Sequence, residues 1–209
     1  MKVEIWSDVM CPFCYIGKRK FEQALEQFPG KADVEVEWKS FQLNPDMKTE
    51  PSKSINEYLA EHKGISLAQA NEMNNRVTAM AAEVGLTYDL GRAVVANSFD
   101  AHRLSHFAKK YGRQDAMEER LFKAYFTEGK NTADHETLIA LAVEAGLNAE
   151  AVRSMLAGTE LSDDVNRDIY EANQVGARGV PFFVFDNKYA VSGAQPSELF
   201  LQVLNKTSR

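Results

Sequence analysis

Cys11 and Cys14 are the only cysteines in this 209-residue chain, and they stand three positions apart. Thiol–disulfide exchange needs a thiolate, a second thiol near enough to resolve a mixed disulfide, and access for a partner sulfur. The order Cys11-Pro12-Phe13-Cys14 meets the first two demands if a helix opens at its first cysteine. Free backbone N–H groups and the positive end of the helix macrodipole would then face the Cys11 sulfur and favour its thiolate. Pro12 suits that first turn, where its missing N–H would have had no helical partner. Cys14 would lie one turn further in, so Cys11 is expected to attack and Cys14 to resolve.

Other uses of the pair fit less well. A disulfide-stapled secreted domain would spread several cysteines along its length. A structural zinc site needs four ligands, and no second Cys/His cluster supplies them, so no metal is expected. His102 and His106 are four apart on an expected helix, but Arg103 stands where a zincin carries Glu. Pairing Cys11 with His135, as in a cysteine hydrolase, would leave Cys14 without a purpose.

The elements that must position the cysteines can be read from periodicity. Lys2 to Ser7 alternates as a strand, a turn covers Asp8 to Met10, and a helix runs from Cys11 or Pro12 to about Phe28, stopped by Pro29-Gly30. A second strand is expected over Asp33–Phe41, parallel to the first through a right-handed crossover. Asn44 to Ser54, with Pro45 and Pro51, reads as a linker. Helices are then expected over Ile55–His62, Ser66–Val84, Ser98–Tyr111, Gln114–Thr127, His135–Ala145, Ala149–Ala157 and Ser162–Val175. Ser66 and the Thr132-Ala133-Asp134 segment supply cap chemistry. The methionines of this block, Met47, Met73, Met80, Met117 and Met155, read as core filler, with an adaptable binding surface as the alternative.

Strand character returns at Pro181–Phe185. A turn at Asp186-Asn187 leads to Tyr189–Ser192, and a last helix follows. Gly179-Val180-Pro181 opens this unit, and a proline at a strand start is either the cis form of a tight turn or an ordinary trans one. The order is α/β: a thioredoxin-like fold with a large α-helical insertion. Residues 1–44 and 160–209 form the thioredoxin-like domain, and 45–159 form a lid-like helical subdomain.

Three segments carry a resemblance. Trp6-Ser7-Asp8-Val9-Met10-Cys11-Pro12-Phe13-Cys14-Tyr15-Ile16-Gly17, Asn97 to Leu104 and Gly176 to Phe183 together resemble the DsbA family of thiol oxidoreductases, in particular its FrnE-like branch. The resemblance implies a nucleophilic Cys11, a resolving Cys14 and a cis Pro181 facing them. It also implies that Pro12, Phe13 and Val180 contact the substrate, the Val180 backbone binding an extended partner, and that His102 lines the groove over the cysteines, a packed helix histidine being the equal alternative. Family members often carry His where this chain has Phe13, and such a His helps stabilise the thiolate. Its replacement implies a couple toward the less oxidising half of the range from about −270 to −120 mV.

The expected activity is thiol–disulfide exchange with protein or small-molecule thiols and disulfides. No cofactor beyond the cysteine pair is expected, glutathione being a candidate co-substrate. Two alternatives remain: a glutathione-dependent isomerase or transferase of the kappa-class type, whose members carry Ser at the Cys11 position, and a redox-sensing holdase.

Charge bounds the partners. The net charge of −6 and the short basic run Lys18-Arg19-Lys20, read as a solvated helix face, argue against nucleic-acid or anionic-membrane surfaces. No stretch approaches the ~20 apolar residues of a spanning helix. The alternating N-terminus is unlike a secretory signal, so a cytoplasmic monomer or homodimer is expected.

Overall fold

In the computed structural model, which describes residues 1–209, the alternating segment Lys2–Ser7 forms strand β1, with Val3 and Ile5 wholly buried. A short turn leads into helix α1, Pro12–Gln27. Strand β2, Glu35–Ser40, then returns parallel to β1, pairing Lys2 with Glu35 through to Ser7 with Ser40. After a long excursion described below, β5 (Phe182–Phe185) joins the free side of β1 antiparallel. A hairpin connects β5 to β6, Tyr189–Ser192. Its turn residues Asp186 and Asn187 have φ of 48° and 54°. Short polar side chains tolerate this left-handed backbone, which matches the twist of the strands. The sheet order is β2-β1-β5-β6.

The intervening residues form β3 (Glu50–Ser54), α2 (Ile55–Lys63), α3 (Leu67–Glu83), β4 (Val94–Val95), α4 (Phe99–Lys109), α5 (Gln114–Phe126), α6 (His135–Glu144), α7 (Ala149–Ala157) and α8 (Ser162–Gln174). The helices lie where their periodicity placed them, with ends differing by at most two residues. Ser54 and Ser66 open α2 and α3 through reciprocal capping boxes with Glu57 and Gln69. Asp134 accepts the Thr137 N–H at the start of α6. The supposed linker over Asn44–Ser54 contains a strand: β3 pairs antiparallel with β4, some forty residues downstream. This ladder has little apolar alternation and an irregular register, so nothing local announces it.

One face of the four-stranded sheet is covered by α1 and by α9, Ser197–Thr207, which meet over Phe21, Phe183, Phe185 and Phe200. Phe183 and Phe200 contact edge-on at 4.6 Å, worth about 1 kcal/mol beyond the area they bury. On the other face Ala172 of α8 packs with Trp6, Phe182 and Val184. The same aromatic core continues into the helical segment: Phe122 of α5 stacks on Tyr15 at 5.0 Å and meets Trp38 edge-on at 6.1 Å. Gln114 completes the join. Its side-chain amide accepts from the Trp38 N–H and donates to the Trp38 carbonyl, satisfying the edge of β2 as a strand would.

The basic run on α1 departs from the solvated reading. Lys18 is buried among Glu22, Asp115 and Glu119. Burial alone would lower its pKa, but these carboxylates outweigh it and hold the ammonium charged. Arg19 pairs with Glu22 and Glu119 and lies over the Tyr15 ring. Lys18 and Arg19 therefore form an electrostatic bond between α1 and α5, while Lys20 donates to the Ala194 carbonyl.

Candidate functional site

The turn between β1 and α1 places both cysteines. Cys11 is the residue before the first helical position, with extended backbone (φ −88°, ψ 110°), and Pro12 follows it at the start of α1. No acidic side chain occupies that first turn to compete for its N–H groups. The Tyr88 hydroxyl donates to the Pro12 carbonyl at 2.7 Å, tying the turn to the helical segment. Asp8 is fully buried and holds the turn from beneath. Its backbone carbonyl accepts the Cys11 N–H at 2.9 Å, and its carboxylate accepts the Leu43 N–H at 2.7 Å.

The two thiols are unlike. Cys14 has no exposure, and its pKa is pushed well above the ordinary range, first by burial and then by the adjoining Cys11 sulfur. The Ser7 hydroxyl, which has no other partner, and the Asp8 N–H pull the other way. Cys11 is also largely covered, at 3% exposure, but it lines a cavity while Cys14 does not. The Cys11 sulfur lies 3.5 Å from the Val180 carbonyl oxygen. The Val180–Pro181 peptide bond is cis, and this loop closes over the helix start. Residues 169 positions apart in sequence are thus brought to one point.

The cavity beside Cys11 is about 350 Å³. Met10, Pro12, Phe13 and Val180 form its rim with Cys11, and Phe13 is 38% exposed. Leu43 and Asn44, after β2, form one wall. The amphipathic faces of α2 (Ile55, Tyr58, Leu59, His62, Lys63) and α3 (Met73, Asn74, Val77) form another. Leu90, Tyr125 and Phe126 complete it. Cys11, Cys14, Pro12, Phe13, Val180 and Pro181 therefore assemble as one site.

His102 does not join them at the groove. It is 2% exposed, absent from the cavity wall, and sits beneath the turn with Nε2 3.4 Å from the Asp8 carboxylate. A helix carrying it on its inward face points it into the core, so it acts on the site only through Asp8. Burial would depress its pKa, but the Asp8 carboxylate outweighs this and raises it. His106 reaches a different buried carboxylate, Asp168, at 2.9 Å. His135 pairs with Asp100 at 2.8 Å, away from Cys11. Among the methionines Met47, Met117 and Met155 are core, whereas Met73 lines the cavity.

Sequence reasoning missed Asp8, Tyr88, Tyr125 and the α2–α3 wall. The wall did carry a signal: Ile55, Tyr58, Leu59 and His62, like Met73 and Val77, recur at helical spacing, an apolar stripe needing a partner.

The family model described as a DSBA-like thioredoxin domain matches residues 2–205. The structure superposes on that of a probable DsbA oxidoreductase from Streptomyces coelicolor with a TM-score of 0.93, at 43% identity, covering 100% of this chain and 90% of that one. The uncharacterized protein YwbO of Bacillus subtilis is 31% identical over 218 residues, spanning 97% of this chain and 95% of its own. A 2-hydroxychromene-2-carboxylate isomerase shares the fold at 15% identity, with a TM-score of 0.73 over 100% of this chain and 97% of its own.

Proposed function

The chain belongs to the DSBA-like thioredoxin family, and on that premise we propose that it is a thiol–disulfide oxidoreductase working through Cys11 and Cys14. The observation that carries this reading is the asymmetry of the pair. Cys11 stands at a helix start on the cavity, 3.5 Å from the Val180 carbonyl, and Cys14 is buried behind it with a raised pKa.

In the reducing direction the Cys11 thiolate attacks one sulfur of a disulfide R–S–S–R′. That bond breaks, R′S⁻ leaves and takes a proton, and a Cys11–S–R mixed disulfide remains. Cys14 then loses its proton and attacks the Cys11 sulfur, RS⁻ leaves, and two electrons have passed from the dithiol to the substrate. The Ser7 hydroxyl and Asp8 N–H are placed to support the transient Cys14 thiolate. The Val180 backbone positions an extended partner. Oxidation of substrate thiols is the reverse sequence. The protein needs no resident cofactor for either direction, and glutathione is a candidate for resetting the pair in the cytoplasm.

The test is redox titration in glutathione buffers together with insulin-disulfide reduction by wild type, Cys11→Ser and Cys14→Ser. Cys11→Ser should abolish exchange, and Cys14→Ser should accumulate mixed disulfides. Exchange undiminished in both variants would refute the proposal. Glutathione-dependent isomerisation surviving Cys14→Ser would instead assign the isomerase chemistry.

A further inference from the structure

The cavity beside Cys11 has a chemical character more specific than thiol exchange requires. Its apolar lining includes Ile55, Leu59, Val77 and Leu90, and no carboxylate and no arginine lines it. The one ammonium on its wall is that of Lys63, and the Tyr58 ring stacks on His62 at 5.5 Å. Glutathione brings two carboxylates and an ammonium. The ammonium would find no acidic partner here, and desolvating unpaired charge in such surroundings is costly.

Against this apolar background one buried polar group is unsatisfied. Tyr125 belongs to the cavity wall, is 1% exposed, and its hydroxyl has no hydrogen-bond partner. Of the other polar side chains of the wall, Asn44 donates to the Tyr58 hydroxyl at 2.8 Å, Asn74 is bonded to Asn56, and His62 and Lys63 are exposed. A buried hydroxyl left unpaired keeps its desolvation penalty, which a ligand atom can recover. Burial and the nearby Asp8 carboxylate keep this phenol protonated, so it is available as a donor.

We propose that the cavity is a binding site for small, uncharged, largely apolar disulfides and thiols, in which Tyr125 Oη donates a hydrogen bond to the substrate's hydroxyl or carbonyl oxygen while its sulfur meets Cys11. The inference rests on the exchange reading of Cys11 and names the substrate class of that same site. A volume of about 350 Å³ falls at the small end of the usual range of ligand pockets. It suits one compact ring system and excludes a folded protein segment from its depth.

The experiment measures single-turnover reaction of the reduced protein with three disulfides: 2,2′-dihydroxy-6,6′-dinaphthyl disulfide, di-2-naphthyl disulfide and glutathione disulfide. Each rate is divided by that disulfide's rate with free dithiothreitol, which removes intrinsic reactivity. The hydroxylated naphthyl compound should lead, with glutathione disulfide at least tenfold behind. Tyr125→Phe should cut the preference for the hydroxylated over the unsubstituted compound by about fivefold, the worth of one hydrogen bond. Val77→Trp, which fills the cavity from α3, should collapse the naphthyl-to-glutathione ratio.

A second readout needs no turnover: 2-naphthol fluorescence should report binding to wild type and at least fivefold weaker binding to Tyr125→Phe. Normalised rates that rank the three disulfides equally, or ratios unmoved by both variants, would overturn the proposal while leaving thiol exchange standing. Absence of a Cys11-dependent reaction with any disulfide, insulin included, would remove the exchange reading itself.

Discussion

Gly17 lies directly beneath Pro181: a Cβ added to it would stand 2.9 Å from Pro181 Cγ and 3.5 Å from Phe183 Cζ. Glycine inside a helix costs about 1 kcal/mol relative to alanine, so the absence of a side chain serves the close approach of α1 to the Val180–Pro181 loop.

This relationship sets the first prediction. Gly17→Ala should destabilise the protein by about 1–3 kcal/mol through overpacking, despite alanine's better helix propensity. The loop that meets Cys11 must shift, so exchange should also slow. Urea denaturation and insulin-reduction rates measured on the same preparations check both effects. A gain in stability at wild-type rate would show that the loop yields freely.

The unlike burial of the thiols predicts selective alkylation. Iodoacetamide at neutral pH should label Cys11 in the native, reduced protein and leave Cys14 unmodified, because Cys14 is inaccessible and its thiol protonated. Peptide mapping by mass spectrometry separates the sites. Both cysteines should react after denaturation.

Phe13 sits exposed between the cysteines on the cavity rim. Phe13→His should stabilise the Cys11 thiolate in the reduced form and move the couple toward more oxidising values. A tenfold change in the glutathione equilibrium corresponds to roughly 30 mV. Titration in glutathione buffers gives the sign directly, and a shift in the opposite direction would contradict this view of the dipeptide.

Asp168 joins α8 to β2, accepting from the Ser40 N–H at 2.9 Å, from Lys39 at 3.0 Å and from His106 at 2.9 Å. Burial would raise its pKa, but these partners outweigh it and lower the pKa below that of the unfolded carboxylate. Its stabilising contribution is therefore full above the unfolded value of about 3.9 and is lost as pH falls through the lower folded one. Glu37, brought down to about 2 by Lys109 and Lys2 despite partial burial, acts with the same sign. Asp168→Asn should cost about 3 kcal/mol at neutral pH, and its acid-unfolding curve should be flatter than that of wild type.

His102 has the opposite sign. Its pKa is raised by Asp8 against burial, so the pair stabilises fully below the unfolded value of about 6.5 and weakens as pH climbs through the folded one. Melting temperatures of wild type and His102→Gln should therefore converge above neutral pH and diverge below it. Curves parallel across that range would show that the pair carries no charge.

Local patterns made much of this molecule readable. Two cysteines three apart after an alternating strand, with Pro12 where a helix can begin, are statements about neighbours in sequence, and so are the capping serines of α2 and α3. The Val180–Pro181 loop was legible as a strand opening, with its place beside the cysteines expected from the family resemblance. The β3–β4 ladder and the burial of Lys18 were not legible, and helical spacing did not decide between a packed His102 and one lining the groove. Each depends on a partner tens of residues away, and chain periodicity carries no information about which distant surface a face will meet.

The sequence by itself determined the local setting: two cysteines at the start of a helix, in a strand–helix–strand frame, with no other cysteine in the chain. Only the tertiary structure decided how the two thiols differ and what surrounds them. It set the Cys11 sulfur against the Val180 carbonyl, sealed Cys14 behind it, and enclosed a cavity between α1, α2, α3 and α5. Burial and electrostatic environment are properties of assembled surfaces: desolvation raises the Cys14 pKa, and apolar side chains from separate elements line one cavity. Both arise only when segments remote in the chain exclude water together.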